Sequence, residues 1–281
     1  MLISVVVGMT EHDTGLEACL RALLPQAAHE IIVVTSTPQD RMAFPQVKFV
    51  QTSPDELMPM LWKRGLDEAS GEIIAFTVAN CIPSNDWLSR IESAFSESGT
   101  VAGVGGAIAP PDAGVWAIYF ARYSAFMPTG QSAPFDADYL PGENAAYRRA
   151  DLAGCADLLQ TGFWETLIQA RLRSQGFRLI YDPALQVQMS SETGMSLRTR
   201  FQHGRHYGRT RPMRSPAHRL IYILTAPLVT PLLFRRIARR VPAAWRPQLI
   251  RALPPLLLLL MVWNLGELSG YLSPVSAPAQ R

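Results

Sequence analysis

Short apolar runs alternate with helix-patterned stretches over most of this chain. Leu2–Val7 is a β-branched run ended by Gly8 and reads as a buried strand. Behind it Leu16, Leu20, Leu23 and Leu24 fall on one helical face, with Asp13 or Thr14 as the cap. Glu30–Val34, Val47–Val50, Ile73–Phe76 and Val101–Ile108 read as further strands, and Glu56–Ala69 and Trp87–Phe95 as helices between them. Such alternation predicts a mostly parallel sheet flanked by helices, whose ligand lies beyond the carboxyl ends of the strands. That rule points to residues 8–12, 35–38 and 77–83. Residues 110–141 are irregular and rich in proline, glycine and aromatic side chains. An amphipathic helix at 163–174 and two short strands, Arg178–Tyr181 and Leu185–Met189, follow.

The last part of the chain changes character. Leu220–Phe234 and Leu253–Tyr271 are apolar stretches, the first holding Pro227 and Pro231 and the second Glu267. A straight spanning helix needs about 20 apolar residues, so the first is short for that task. Arginines flank it on both sides: Arg214 and Arg219 before, and Arg235, Arg236, Arg239 and Arg240 after. That favours an in-plane or re-entrant helix. The second either spans or forms a hairpin with the first. LLLLLMVW is apolar on every face, which favours contact with membrane lipids over a helical pair in a soluble protein.

Charge sharpens this division. Residues 1–197 hold 12 basic against 22 acidic side chains, and residues 198–281 hold 14 arginines against Glu267 alone. An acidic body with an arginine-rich tail suits an anionic membrane surface or phosphate groups. There is no basic-aromatic stripe to suggest nucleic acid. Cys19, Cys81 and Cys155 have neither metal spacing nor a disulfide framework, which suggests a reducing compartment. The apolar start MLISVVVGMT lacks a charged leader and is not read as a signal peptide.

Four segments carry a resemblance. EIIVVTSTP stands where a known pattern reads I-V-V-D-D-G-S, and ASGEIIAFTVANCIPSNDWL where it reads A-x-G-E-x-I-A-F-L-D-D-D-C-x-P-x-x-W-L. YLPGENAAYRR matches G-x-N-x-A-x-R-R, and GFWETLIQARLRSQGFRLIYDP matches an acidic helix followed by a Gly-aromatic-x-I/L-x-Y-x-P strand. In this order the chain resembles the bacterial family 2 glycosyltransferases over roughly residues 2–211. The resemblance implies an α/β fold of the GT-A (nucleotide-diphospho-sugar transferase-like) type over residues 1–211, followed by a membrane-associated helical tail over 212–281.

It also assigns roles. Glu165 falls on the catalytic acidic position and would take the acceptor hydroxyl's proton during an inverting displacement; as a bare sequence feature it is equally a helix N-terminal acid. Trp164 would stack on a sugar ring, and Glu143 and Asn144 would bond acceptor hydroxyls, although a turn needs the same residues. Thr10, Thr35, Ser36 and Asn80 fall at the donor end. The family's first acidic pair is replaced by Thr35 and Ser36, and its Asp-x-Asp by Val78, Ala79 and Asn80. A hard cation needs several oxygen ligands, so the family's usual metal site is missing and no obligatory Mg or Mn cofactor is predicted. Arg205, Arg209 and Arg211, with His203 and His206 between or beside them, are the candidates to meet a donor diphosphate instead, or else to touch lipid headgroups. Arg148 and Arg149 read as solvated charges, although Arg148 also falls on a family motif position that merits a test; Cys81 reads as a packed small side chain, and His12 and His29 as surface residues.

The resemblance therefore implies transfer of a sugar from a nucleotide-linked donor to a glycan or lipid-linked acceptor, and with the basic apolar tail it places this at the cytoplasmic face of the cell inner membrane, without nucleic acid. The alternative is a catalytically inactive partner in envelope-glycan assembly, favoured by the lost acidic motifs. There is no G-x-G-x-x-G, P-loop or G-x-S-x-G to suggest another nucleotide or hydrolase chemistry.

Overall fold

A computed structural model describes residues 1–273 apart from 12, 38–42, 55, 97–98, 129–130 and 212–214. His12, Arg214 and the end of the 35–38 segment, singled out above, lie outside the described residues. The chain divides into two compact units, Met1–Gly114 with Pro128–Gly194, and Val115–Met127 with Met195–Arg281. This differs from a boundary at 211: the helix Leu197–Thr210 and the segment 115–127 group with the C-terminal helices.

The first unit is built on β1 (Ile3–Met9), β2 (Glu30–Thr35), β3 (Val47–Gln51), β4 (Ile73–Val78), β5 (Cys81–Pro83), β6 (Val101–Ala109), β7 (Phe135–Asp136), β8 (Ala145–Arg148) and β9 (Arg178–Met189). Their order in the sheet is β3-β2-β1-β4-β8-β6-β9-β5, and β7 pairs with β9. β3, β2, β1 and β4 run parallel, as do β6 and β9, while β8, β5 and β7 are antiparallel to their neighbours. β1 and β4 are buried along their whole length, which is why they read as continuous apolar runs.

Two sequence expectations change here. The two short strands after residue 178 are one strand, β9, whose pairing with β6 shifts register between Gly106 and Ala107; the shift passes over Pro183, Ala184 and Leu185, a bulge that interrupts the apolar pattern. The GENAAYRR segment, read as motif rather than structure, supplies β8.

Helices α1 (Leu16–Leu23), α2 (Met58–Glu68), α3 (Trp87–Ser96) and α4 (Glu165–Ser174) flank the sheet. Neither Asp13 nor Thr14 caps α1: Gly15 holds the cap position with no side-chain bond. An aromatic cluster joins α2 and the start of α4 to the sheet, with Phe76 4.4 Å from Phe163, Tyr147 5.2 Å from Phe163 and Trp62 6.0 Å from Phe76.

The second unit contains α5 (Leu197–Thr210), α6 (Pro216–Arg240) and α7 (Leu253–Leu272). α5 and α7 each carry a G-x-x-x-G pair, Gly204/Gly208 and Gly266/Gly270, and the pairs face each other. A Cβ on Gly204 would strike the Trp263 carbonyl, and one on Gly266 the Phe201 carbonyl, at separations real side chains never show. The backbones touch, so only glycine fits. α6 runs against α7 in the opposite sense: Asn264 Nδ2 donates to the Ala226 carbonyl at 2.7 Å, and Tyr222 stacks on Tyr271 at 5.4 Å.

Candidate functional site

The carboxyl ends of β1, β2 and β4 meet the turns that follow them. β1 ends at Met9, and in the next turn the Thr10 amide and hydroxyl both donate to Asp13 Oδ2, at 2.8 Å each. The other Asp13 oxygen accepts from Asn80 Nδ2 at 2.7 Å. Asp13, 7% exposed, and Asn80, 2% exposed, thus tie the ends of β1 and β4 together. The carboxylate precedes the N-terminus of α1, where the helix dipole favours a negative charge. The sequence pattern marks Asp13 only as a cap. The signal that identifies it is a buried acid three residues after Thr10 at a strand end.

The replaced acidic positions can be judged as metal ligands. Val78 and Ala79 are buried and bring no side-chain oxygen. Asn80 Oδ1 accepts from the Cys81 thiol at 3.9 Å, and its amide nitrogen is committed to Asp13. Asp13 already accepts three hydrogen bonds. These residues do not make the oxygen shell a divalent cation needs. Among the described residues no group of three or more His, Cys, Asp or Glu side chains converges. Thr35 and Ser36 shape their own loop: the Thr35 hydroxyl accepts from the Thr37 amide at 3.0 Å, and the Ser36 carbonyl accepts from Gln51 Nε2 at 2.7 Å.

Glu165 opens α4, half-buried. Gly162, at φ +118°, turns the chain so that Phe163 enters the aromatic cluster while Trp164 and Glu165 stay partly accessible. Phe163 N donates to the Pro59 carbonyl at 2.7 Å, and Trp164 Nε1 to the Thr161 carbonyl at 2.9 Å. The Glu165 carboxyl carbon lies 3.4 Å from where a Gly142 Cβ would stand. Burial raises the Tyr147 phenol's pKa; the Gln169 hydrogen bond opposes this and the Glu165 charge adds to it.

Gln169, one turn beyond Glu165, fixes this arrangement. Its Nε2 donates to the Leu140 carbonyl at 2.8 Å and to Tyr147 Oη at 2.7 Å, while Oε1 accepts from Leu140 N at 3.1 Å. Neither Gln169 nor Tyr147 was singled out from the sequence; a glutamine on the buried face of α4 is the cue.

Trp62 connects the two halves of the site. Its Nε1 donates to the Thr77 carbonyl at 3.0 Å, near the end of β4, and the far edge of its ring lies beside Gly142. Glu165 and its neighbouring turn therefore sit about one indole width from the ends of β1 and β4.

The remaining residues divide. Glu143 is half-buried in the 142–144 turn beside Glu165. Asn144 is 0% exposed and fully engaged: Oδ1 accepts from Trp87 Nε1 at 2.7 Å, and Nδ2 donates to the Ala107 and Leu185 carbonyls at 2.9 and 2.8 Å. It holds the sheet to α3 and has no amide group left for a sugar. Arg148 pairs with Ile73, the amino end of β4, and lies over Phe95; Arg149 donates to the Gly71 carbonyl at 3.1 Å. Neither is simply solvated, and both are at the opposite end of β4 from Val78. Cys81 is buried and His29 exposed, as expected.

In the second unit, Arg211 donates to Glu267 Oε1 at 3.2 Å and to Tyr271 Oη at 2.8 Å, and lies 4.2 Å above the Tyr222 ring. Its charge is used there. Arg205 and Arg209, on α5, have Nε atoms that are buried without a hydrogen-bond partner.

No protein-family model matches the chain, and no curated protein matches it by sequence. Solved structures do match in fold. A mannosyltransferase, PcManGT from Pyrobaculum calidifontis, in complex with GDP-Man and Mn2+, aligns with a TM-score of 0.57 and 16% identity over 95% of this chain and 86% of that one. TarS residues 1–349 from S. aureus aligns at 0.51 with 15% identity, over 96% and 90%. GalNAc-T7 with UDP, GalNAc and Mn2+ aligns at 0.52 with 13% identity over 67% of this chain, which spans 43% of that one. The fold is thus the GT-A type that the sequence implied.

Proposed function

We propose that the chain is a glycosyltransferase of the family 2 kind, moving a sugar from a nucleotide-linked donor to a lipid-linked or membrane-proximal acceptor with inversion. The observation that carries this reading is Glu165, held beside the Gly142 turn and linked through Trp62 to the carboxyl ends of β1 and β4. That is where an α/β sheet of this kind takes its ligand. Two of the solved structures of like fold hold GDP-Man or UDP with Mn2+.

In this mechanism Glu165 removes the acceptor hydroxyl's proton as that oxygen attacks the anomeric carbon, and the nucleoside diphosphate leaves from the opposite face. Gln169 and Tyr147 keep α4 and the 140–144 turn in register, and so position the base. Trp164 and Glu143 flank the acceptor. Thr10 and Ser36 line the donor end, and buried Thr35 and Asn80 hold the strand ends and loops behind it. Within the second unit Arg205 and Arg209 remain the candidates to meet a phosphate, because a fork of N–H donors neutralises phosphate without a cation; Arg211 is held by Glu267. No step is assigned to a metal, since Val78, Ala79 and Asn80 do not furnish its ligands. The apolar helices α6 and α7 hold the protein on membrane lipids at the cytoplasmic face.

The alternative, a partner without catalysis, is supported by the same substitutions at 35–36 and 78–80. Sugar transfer from UDP-, GDP- and dTDP-sugars to a membrane lipid extract separates the two. The enzyme reading expects product from one donor and at least about a hundred-fold less from Glu165→Gln; equal product from both proteins removes Glu165 as the base, and no product from any donor favours the non-catalytic partner.

A further inference from the structure

Two described helices of the second unit, Ala217–Arg240 and Leu253–Leu272, are long and apolar enough to cross a bilayer. Their surroundings argue for a different placement. α5 runs parallel to α7 and in backbone contact with it: Arg200 Nε reaches the Leu259 carbonyl, Gly204 meets Trp263, Gly208 meets Glu267, and Arg211 bonds Glu267 and Tyr271. The contact follows α7 from Leu259 to Tyr271, more than half its length. α5 carries Arg198, Arg200, His203, Arg205, His206 and Arg209. A helix with that charge is strongly unfavourable in hydrocarbon, and it cannot be left outside if α7, to which it is locked glycine to glycine, stands upright in the bilayer.

The other faces complete the picture. On α6 the exposed side chains Leu220, Leu224, Leu228 and Leu232 recur at helical spacing, with Ile221 beside them. On α7 a second exposed stripe runs through Leu258, Met261, Leu265 and Leu272, away from the buried residues Gly266 and Gly270 that meet α5. The uncharged stretch of α6 from Leu220 to Phe234 is about 22 Å long at helical rise, short of the roughly 30 Å of a bilayer core. Exposed Arg235, Arg236 and Arg239 continue the exposed face of α6, and exposed Arg246 and Arg251 follow in the connection to α7. An apolar band edged by exposed arginines complements an anionic lipid surface.

We infer that α6 and α7 lie in the plane of one leaflet, their leucine stripes among the acyl chains and Arg235, Arg236, Arg239, Arg246 and Arg251 at anionic headgroups, with neither helix crossing. This deepens the membrane-bound reading above and rests on it.

The test has two arms. Full-length protein floats with vesicles of phosphatidylcholine and phosphatidylglycerol, at least ten-fold less with phosphatidylcholine alone, and at least ten-fold less as the Leu224→Glu, Leu228→Glu double variant, which keeps its circular dichroism because both side chains are exposed. Failure to float with any vesicle overturns the membrane reading itself. In the second arm single cysteines replace exposed Ala217, in the first turn of α6, and exposed Ala244, just past its end; the native cysteines are buried. Membrane vesicles from expressing cells, prepared in both orientations, are treated with an impermeant maleimide. Labelling of both positions from the same side supports the in-plane placement. Labelling from opposite sides overturns it while leaving membrane binding intact.

Discussion

Asn144 gives the sharpest distinction between a residue that serves the fold and one that serves a ligand. Its amide makes three hydrogen bonds in a fully buried position, to Trp87 Nε1 and to the carbonyls of Ala107 and Leu185. Asn144→Ala strands one indole N–H and two carbonyls away from water. Each unsatisfied buried group costs about 1–3 kcal/mol, so even the low end of that range gives a loss of about 3 kcal/mol. For a protein of this size each kcal/mol shifts the midpoint by about 2–4 °C, and a fall of about 6–12 °C follows. Asn144→Asp keeps the acceptor for Trp87 but sets a carboxylate oxygen, which has no hydrogen to donate, against the Ala107 and Leu185 carbonyl oxygens, and is at least as destabilising. Thermal unfolding in detergent, followed by near-ultraviolet circular dichroism, measures both variants. If Asn144→Ala melts within 2 °C of the parent and yet loses sugar transfer, the amide contacts substrate and the structural argument is wrong.

Other predictions follow the same logic. Glu165→Gln lowers kcat by about 10²–10⁴-fold, the range for a lost general base, with an unchanged melting midpoint; a matching loss of stability would show a structural role instead. Gly266→Leu forces α5 and α7 apart and costs about 1–3 kcal/mol or more, read as a lower midpoint and faster proteolysis within residues 197–272; wild-type behaviour would contradict the glycine-to-glycine contact. For Glu30, burial pushes the carboxyl's pKa up, but hydrogen bonds from Ser4 and Ser70, with His29 nearby, outweigh it, and the folded-state value falls below the ordinary one. Its stabilisation is present above the unfolded-state pKa and is lost as pH falls through the depressed one. Glu30→Gln is therefore less stable than the parent at pH 7, and the gap closes under acid; a gap independent of pH would contradict this.

Much of the fold was legible because buried parallel strands write themselves as unbroken apolar runs: β1, β2 and β4 fell within two residues of their observed ends. β8 was hidden because four residues inside a motif carry no periodicity of their own. β9 was split because the bulge at Pro183 breaks the apolar pattern without ending the strand. Glu165 was visible as an acid opening a helix, and its neighbourhood follows from Gly142 and Trp62. Asn144 was misread as a ligand contact since a turn amide and a packing amide look alike in sequence; only its three partners tell them apart. Asp13 is legible only as a cap candidate, and Gln169 and Tyr147 not at all, because their roles rest on bonds between residues distant in sequence. The two G-x-x-x-G pairs on α5 and α7 gain their meaning only from the backbone contact between the helices, and they explain why α5 groups with the tail.

The most direct test of the central claim, a sugar-transfer site that needs no Asp-x-Asp cation, is donor binding with and without metal. The melting midpoint of the full chain is measured with UDP-, GDP- and dTDP-sugars in EDTA and again in Mn2+. A ligand present at 100 times its Kd adds about 2.7 kcal/mol to the folded state, a rise of several degrees. The account predicts that rise for one nucleotide in EDTA, undiminished relative to Mn2+. A rise that appears only with Mn2+, or with no donor at all, contradicts it.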